Sequence, residues 1–215
     1  MRITSSASFL RRCALGVVLI AAVFGTVGTA RADIIDEWST IAIPAPPALK
    51  PVQLDAPTTA LLMLDFLPSN CGSSPRCVAL LPKVRSLLDA ARAAHALVVY
   101  SEYPPNTMAS VLPQVAPLGT EPNFIGLADK FINSNLDQTL KDKGIKTVVV
   151  VGNAANGAVL YTASTAAQRG YKVVVVVDGM AGNSPFAEAF TATQLTVGPT
   201  ISSNVTLTRS GTVKF

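Results

Sequence analysis

Four apolar runs constrain this chain more than any other feature: Thr59–Asp65 (TALLMLD), Leu97–Ser101 (LVVYS), Thr147–Val151 (TVVVV) and Lys172–Val177 (KVVVVV). A strand with one wet face alternates apolar and polar residues. These runs are nearly continuous and rich in β-branched side chains, as strands covered on both faces are. Between them lie segments with helical spacing. Val78–Ala96 places Leu80, Leu81, Val84, Leu87, Leu88, Ala91 and Ala94 three to four residues apart, with Pro82 expected in its first turn. Asn133–Lys143 reads as a short helix stopped by Gly144, Asn156–Arg169 as one closed by Gly170, and Pro185–Leu195 as the last, before an edge strand at Asn204–Thr208. Strand and helix in alternation predict a three-layer α/β/α domain around a parallel, Rossmann-like sheet of about five to six strands. Residues 102–128 carry Pro104, Pro105, Pro113, Pro117 and Pro122 without a clear period. They read as a long loop of the kind that covers a site.

The N-terminal 32 residues have the pattern of a removable export signal. Arg2, Arg11 and Arg12 precede an apolar run from Cys13 to Gly28, and Ala30-Arg31-Ala32 supplies a small-x-small cleavage pattern. The run is shorter than the roughly 20 residues a membrane-spanning helix needs. Four of the 17 basic residues belong to this segment and none of the 13 acidic ones, so the remainder has a formal net charge of zero. The basicity is thus a property of the signal and gives no support for a nucleic-acid partner, nor for a membrane once the signal is gone. A Pro-rich arm, residues 33–57, then leads into one domain, residues 58–215. An exported, periplasmic or secreted protein is expected. Cys71 and Cys77, six apart in one loop, most simply form a disulfide in such a compartment. A metal is not expected, because the sole histidine, His95, has no Cys/His cluster around it. No cofactor is implied.

Ligands of parallel sheets bind beyond the carboxyl ends of the strands, where the strand order reverses. If the first strand neighbours Thr147–Val151 across that reversal, the crevice lies between Asp65 and the turn Gly152–Ala158. Asp65 then reads either as a general acid or base, or as an aspartate that hydrogen-bonds loop amides. Lys130 alone reads as surface; paired with Asp65 it gains interest, since an ammonium favours the ionised carboxylate and burial the neutral one. The turn leads into a helix, so amides around Ala154, Asn156, Gly157 and Ala158 could hold a carboxylate or a developing oxyanion. It has neither the G-x-G-x-x-G spacing of a dinucleotide site nor a P-loop's Gly-Lys-Ser/Thr.

Taken together, several segments resemble the isochorismatase-like hydrolases, a superfamily of nicotinamidases, carbamoyl-amide hydrolases and isochorismatases. They are Leu61-Leu62-Met63-Leu64-Asp65-Phe66, Thr147–Gly152, Ala158-Val159-Leu160-Tyr161-Thr162-Ala163, Ala166–Val173 and Val177-Asp178-Gly179. The resemblance implies that Asp65 is the acid/base and that Lys130 is the family lysine. It also places Ala158 where relatives carry their cysteine and Phe66 near where they carry a glutamine, and the metal-binding histidines of nicotinamidase-like members are missing. A thiolate route to amide hydrolysis is therefore not implied. Isochorismatases proper cleave a vinyl ether without the cysteine, which implies that a protonated Asp65 delivers a proton to the enol-ether carbon while Lys130 orients or neutralises the substrate.

Two functions follow as expectations. One is an exported, cysteine-free hydrolase of a small carbonyl- or carboxylate-bearing substrate. The other is a catalytically silent small-molecule-binding protein on the same fold. Either is compatible with a homo-oligomer.

Overall fold

The computed structural model describes residues 33–215, so the proposed export signal lies outside the described residues. The chain divides after Ile43. The short segment before that point holds a helical turn, α1 (Ile34–Glu37), capped by Asp33, whose side chain accepts from the Ile35 amide at 2.9 Å, and then a 3-10 turn, Trp38–Thr40. Pro44–Phe215 form the second unit. Among the described residues, no helix is long and apolar enough to cross a membrane.

In the second unit β1 (Val52–Gln53) comes first, then β2 (Thr59–Leu64), α2 (Pro75–Ala93), β3 (Leu97–Glu102) and β4 (Asn123–Ile125). They are followed by α3 (Leu136–Asp142), β5 (Thr147–Asn153), α4 (Leu160–Gln168), β6 (Lys172–Ala181), α5 (Pro185–Val197), β7 (Val205–Thr208) and β8 (Val213–Lys214). The main sheet has six strands in the order β4-β3-β2-β5-β6-β7, all paired in parallel. Val52–Gln53, inside the Pro-rich approach, pairs in parallel with β8 as a separate two-stranded sheet.

Burial explains why the strands read as continuous apolar runs. Leu61, Met63, Val98, Tyr100, Val149, Val151, Val174 and Val176 pack on one side with Leu81, Val84, Leu87, Leu88 and Ala91 of α2. Their neighbours Leu62, Leu64, Val99, Val148, Val150, Val173 and Val175 pack on the other with residues of α3, α4 and α5. Successive side chains point to opposite faces, so each strand serves two cores. The split of helices follows from strand order. The β2–α2–β3 crossover runs one way along the sheet, while those through α3, α4 and α5 run the other way, and right-handed crossovers must then occupy opposite faces.

The structure departs from the sequence reading in several places, one of them the start of α3, at Leu136 rather than Asn133, after a stretch of turns. Residues 102–128 are not all loop, since Asn123–Ile125 add the edge strand β4; three residues are too few to show a period. Helix α2 begins at Pro75 instead of Val78, because Ser74 caps it, and Pro82 consequently lies inside the helix rather than in its first turn. The segment from Asn156 opens with a π-helical turn, Ala155–Val159, before α4 starts. Strand β6 runs past Val177 to Ala181 through a bulge, in which Val176 to Gly179 stand against Val151 alone.

Cys71 and Cys77 form a disulfide and are fully buried. It ties the turn after β2, Pro68–Gly72, to the first turn of α2. Replacing both cysteines by alanine is expected to lower stability by about 2 kcal/mol, the loop-entropy value for so short a loop. Denaturant melts check the loss, and two titratable thiols in the unreduced, denatured wild type would contradict the bond.

Candidate active site

Asp65 sits one residue beyond β2, with φ +53°. The left-handed region is sparsely used by residues other than glycine, and aspartate is among the few that tolerate it. Such outliers gather where a side chain must be aimed. The Asp65 carboxylate is almost fully buried: Ser101 Oγ, at the end of β3, donates to Oδ1 at 2.8 Å, and Lys130 Nζ lies 2.8 Å from Oδ2. Burial pushes the Asp65 carboxyl up from the usual carboxylate range; Lys130, by charge and hydrogen bond, and Ser101 pull it partly back.

Lys130 is buried at 1% exposure, contrary to the surface position that an isolated lysine suggests. Nζ also donates to the carbonyl of Gly126 at 3.1 Å. Its segment is stitched to α4: the Lys130 amide donates to Thr162 Oγ1 at 3.2 Å, and Thr165 Oγ1 donates to Asp129 Oδ2 at 2.5 Å. Thr162 is thus a positioning residue that the sequence pattern contained without revealing its task.

The opposite wall comes from β5. Strands β2 and β5 are neighbours, with Leu64 opposite Gly152, and the strand order reverses between them. A Cβ on Gly152, whose φ is +152°, would lie 2.4 Å from the Leu64 carbonyl oxygen, so the close approach of these strand ends depends on glycine. A cavity of about 310 Å³ opens here, lined by Asp65, Asn70, Tyr103, Pro104, Leu127, Ala128, Asn153, Ala154 and Ala158. The peptide joining Asn153 to Ala154 is cis. Of the turn residues singled out in the sequence, Ala154 and Ala158 face this cavity, whereas Asn156 is exposed and Gly157 is not among the lining residues. Both ends of the 102–128 segment contribute, through Tyr103 and Pro104 and through Leu127 and Ala128.

Asn70, Tyr103 and Asn153 had no signal in the sequence. Asn153 Nδ2 donates to the carbonyl of Ala181 at 3.2 Å, and Tyr103 Oη lies 3.0 Å from Ser69 Oγ, joining the loops after β2 and β3. No cysteine lines the cavity, and Cys71 and Cys77 are committed to each other. Among the described residues, no group of three or more His, Cys, Asp or Glu side chains could hold a metal. Chemically, the site offers one buried carboxyl, one ammonium and a largely apolar wall.

Comparison with known proteins points to one family. Residues 59–205 match the Isochorismatase domain. No curated protein matches the chain. Among solved structures, an isochorismatase-like hydrolase from Alkaliphilus metalliredigens is 22% identical, with 72% of this chain and 95% of that one covered and a TM-score of 0.64. An isochorismatase family protein from Burkholderia thailandensis is also 22% identical, covering 76% and 97% with a TM-score of 0.66. N-carbamoylsarcosine amidase from Thermoplasma acidophilum is 22% identical as well, covering 71% and 96% with a TM-score of 0.61. At such identities the structures speak for the fold, while the domain match runs from the first residue of β2 to the first residue of β7, and on that match the chain belongs to the isochorismatase family.

Proposed function

We propose that this is an exported hydrolase that acts on a small carbonyl- or carboxylate-bearing substrate without a cysteine nucleophile. The observation that carries the reading is the buried Asp65–Lys130 contact, 2.8 Å long, beside a cavity with no thiol in its lining. Ala158 occupies the position of the family cysteine in this reading. The disulfide is compatible with the oxidising compartment that export implies.

Asp65 acts as the general acid. Burial raises its pKa, so a larger fraction of the carboxyl stays protonated near neutrality than for an exposed aspartate. In an enol ether, the Asp65 proton goes to the terminal carbon as the C=C electron pair forms the new C–H bond. Water adds to the resulting oxocarbenium carbon and loses its proton to Asp65. The hemiketal then collapses to a ketone and an alcohol. Lys130, held by the Gly126 carbonyl, stabilises the carboxylate while it lacks its proton. Activity accordingly declines as pH rises through the Asp65 pKa.

The test is a panel of small amides and enol ethers on wild type, Asp65→Asn and Ala158→Cys. Enol-ether turnover by wild type is expected, with a loss of about 10²- to 10⁴-fold in Asp65→Asn, the usual contribution of a general acid. Ala158→Cys should leave it unchanged or lower. Turnover that survives Asp65→Asn removes the acid role. The lack of a thiol in the cavity favours a second reading, a silent small-molecule-binding protein. An inert wild type with amidase activity only in Ala158→Cys would decide for it.

A further inference from the structure

A second cavity, of about 490 Å³, lies against the first, and Leu127 and Ala128 line both. It is larger than the Asp65 cavity and falls in the size range of small-molecule sites. Its walls are Ile125, Leu127 and Ile132 from the segment around Lys130 and Tyr161 from α4, each at least half exposed, with Leu127 at 83%. Four large apolar side chains left together in water are unfavourable for an isolated chain and mark a place where something binds. The one acidic side chain in the lining, Asp129, is already engaged, since Thr165 Oγ1 donates to Oδ2 and the Phe131 amide donates to Oδ1 at 2.9 Å. The cavity therefore offers mainly apolar surface and hydroxyls, and both oxygens of its one carboxylate already accept a hydrogen bond.

We propose that this second cavity holds the apolar end of the substrate whose carbonyl end enters the Asp65 cavity: an aryl or branched alkyl group joined by a short chain to a neutral carbonyl. The inference rests on the reading that the Asp65 cavity receives the reacting carbonyl or enol ether. Three observations argue for a small molecule spanning both. The cavities adjoin along the Leu127–Ala128 segment. The same segment leads directly to Lys130, whose Nζ donates to the carbonyl of Gly126, a residue of the second cavity's lining. The buried Asp65 carboxyl faces a mostly apolar wall, which disfavours a second negative charge close to it.

Ketones test this without a bond that the protein could hydrolyse, so the result does not depend on turnover. Calorimetric titration of the full protein with acetone, 2-pentanone and 5-phenyl-2-pentanone should rank the phenyl ketone tightest, by about tenfold or more over 2-pentanone, as burial of a ring requires. Ile132→Asp and, independently, Tyr161→Ser should abolish that advantage and leave 2-pentanone binding unchanged. Both positions are at least half exposed, so the variants are expected to fold, which circular dichroism verifies. Equal affinities for the two longer ketones, or an advantage untouched by either substitution, overturns the proposal. So does a change in oligomeric state by light scattering in Ile132→Asp with ketone affinities unaltered, which would assign the face to a second copy of the chain. Failure of the hydrolase reading is seen separately, as an inert wild type in the enol-ether panel, and can occur with the phenyl preference intact.

Discussion

Lys130→Met is expected to destabilise the protein by about 3–5 kcal/mol at pH 8, the range for removing one partner of a buried ion pair. Both side chains are nearly inaccessible, at 1% and 6%, so solvent cannot take over the role of the ammonium. Only Ser101 Oγ would remain on the carboxylate. The cost should shrink towards acid pH, and the direction follows from proton binding. Because the Asp65 pKa is raised on folding, the native state binds more protons than the unfolded state above pH 3.8, and stability falls as pH rises through the window up to the folded pKa. In Lys130→Met the chief opposing influence on Asp65 is gone, so the window extends further upward, at about 1.4 kcal/mol per unit. Denaturant melts at pH 5 and pH 8 should therefore differ more in the variant than in wild type. Replacing both residues, Asp65→Leu with Lys130→Met, should cost less than Lys130→Met alone, since no charge is then stranded. A loss under about 1 kcal/mol that is the same at both pH values would mean that the pair is not buried as described.

Gly152→Ala should be at least as damaging, at about 3–5 kcal/mol, from overpacking and backbone strain combined. The added Cβ would meet the Leu64 carbonyl oxygen at 2.4 Å and Leu64 Cβ at 2.6 Å. The first of these is backbone in one of the two central strands of the sheet, which no rotamer change can move. The strands would have to part where Leu64 and Gly152 face each other, one residue before Asp65 and one before Asn153. Gly170→Ala is the control. That residue also has positive φ, at 90°, but nothing lies within 4 Å of its would-be Cβ, so only the conformational cost of about 1 kcal/mol applies. Thermal or denaturant melts of the two variants compare them directly. Equal losses would show that the contact with Leu64 is not tight.

The two predictions differ in how visible their residues were beforehand. Gly152 stood out as the glycine that ends a strand, but its contact with Leu64 depends on β2 and β5 being neighbours, which the sequence stated only as a condition. Asp65 was conspicuous because a carboxylate terminates an apolar strand. Lys130 was visible only through resemblance to a family, since a single lysine taken alone has the pattern of surface. Its burial is a matter of Thr162 and Thr165 holding the segment against α4, more than 30 residues away. Asn70, Tyr103 and Asn153 line the cavity from the turn after β2, the loop after β3 and the last residue of β5, and carry no local mark of it. The start of α2 is legible in Ser74-Pro75, a cap followed by a first-turn proline, whereas the apolar period by itself begins three residues later.

What the amino-acid sequence determined by itself was whatever depends on short-range periodicity. Continuous β-branched runs require cover on both faces, strand–helix alternation requires parallel crossovers, and these lead to an α/β/α sandwich with its crevice at the carboxyl edge. Tertiary structure alone decided which strand ends meet, and hence that the Lys130 ammonium reaches the Asp65 carboxylate, 65 positions apart, at 2.8 Å. It also set Ile125, Leu127, Ile132 and Tyr161 side by side around one cavity. The physical reason is one of range. Periodicity reports which face of an element is buried, within a few residues of each position. The partner of a buried charge, and the neighbour of an exposed apolar side chain, are chosen by packing across the whole chain, and no local pattern records that choice.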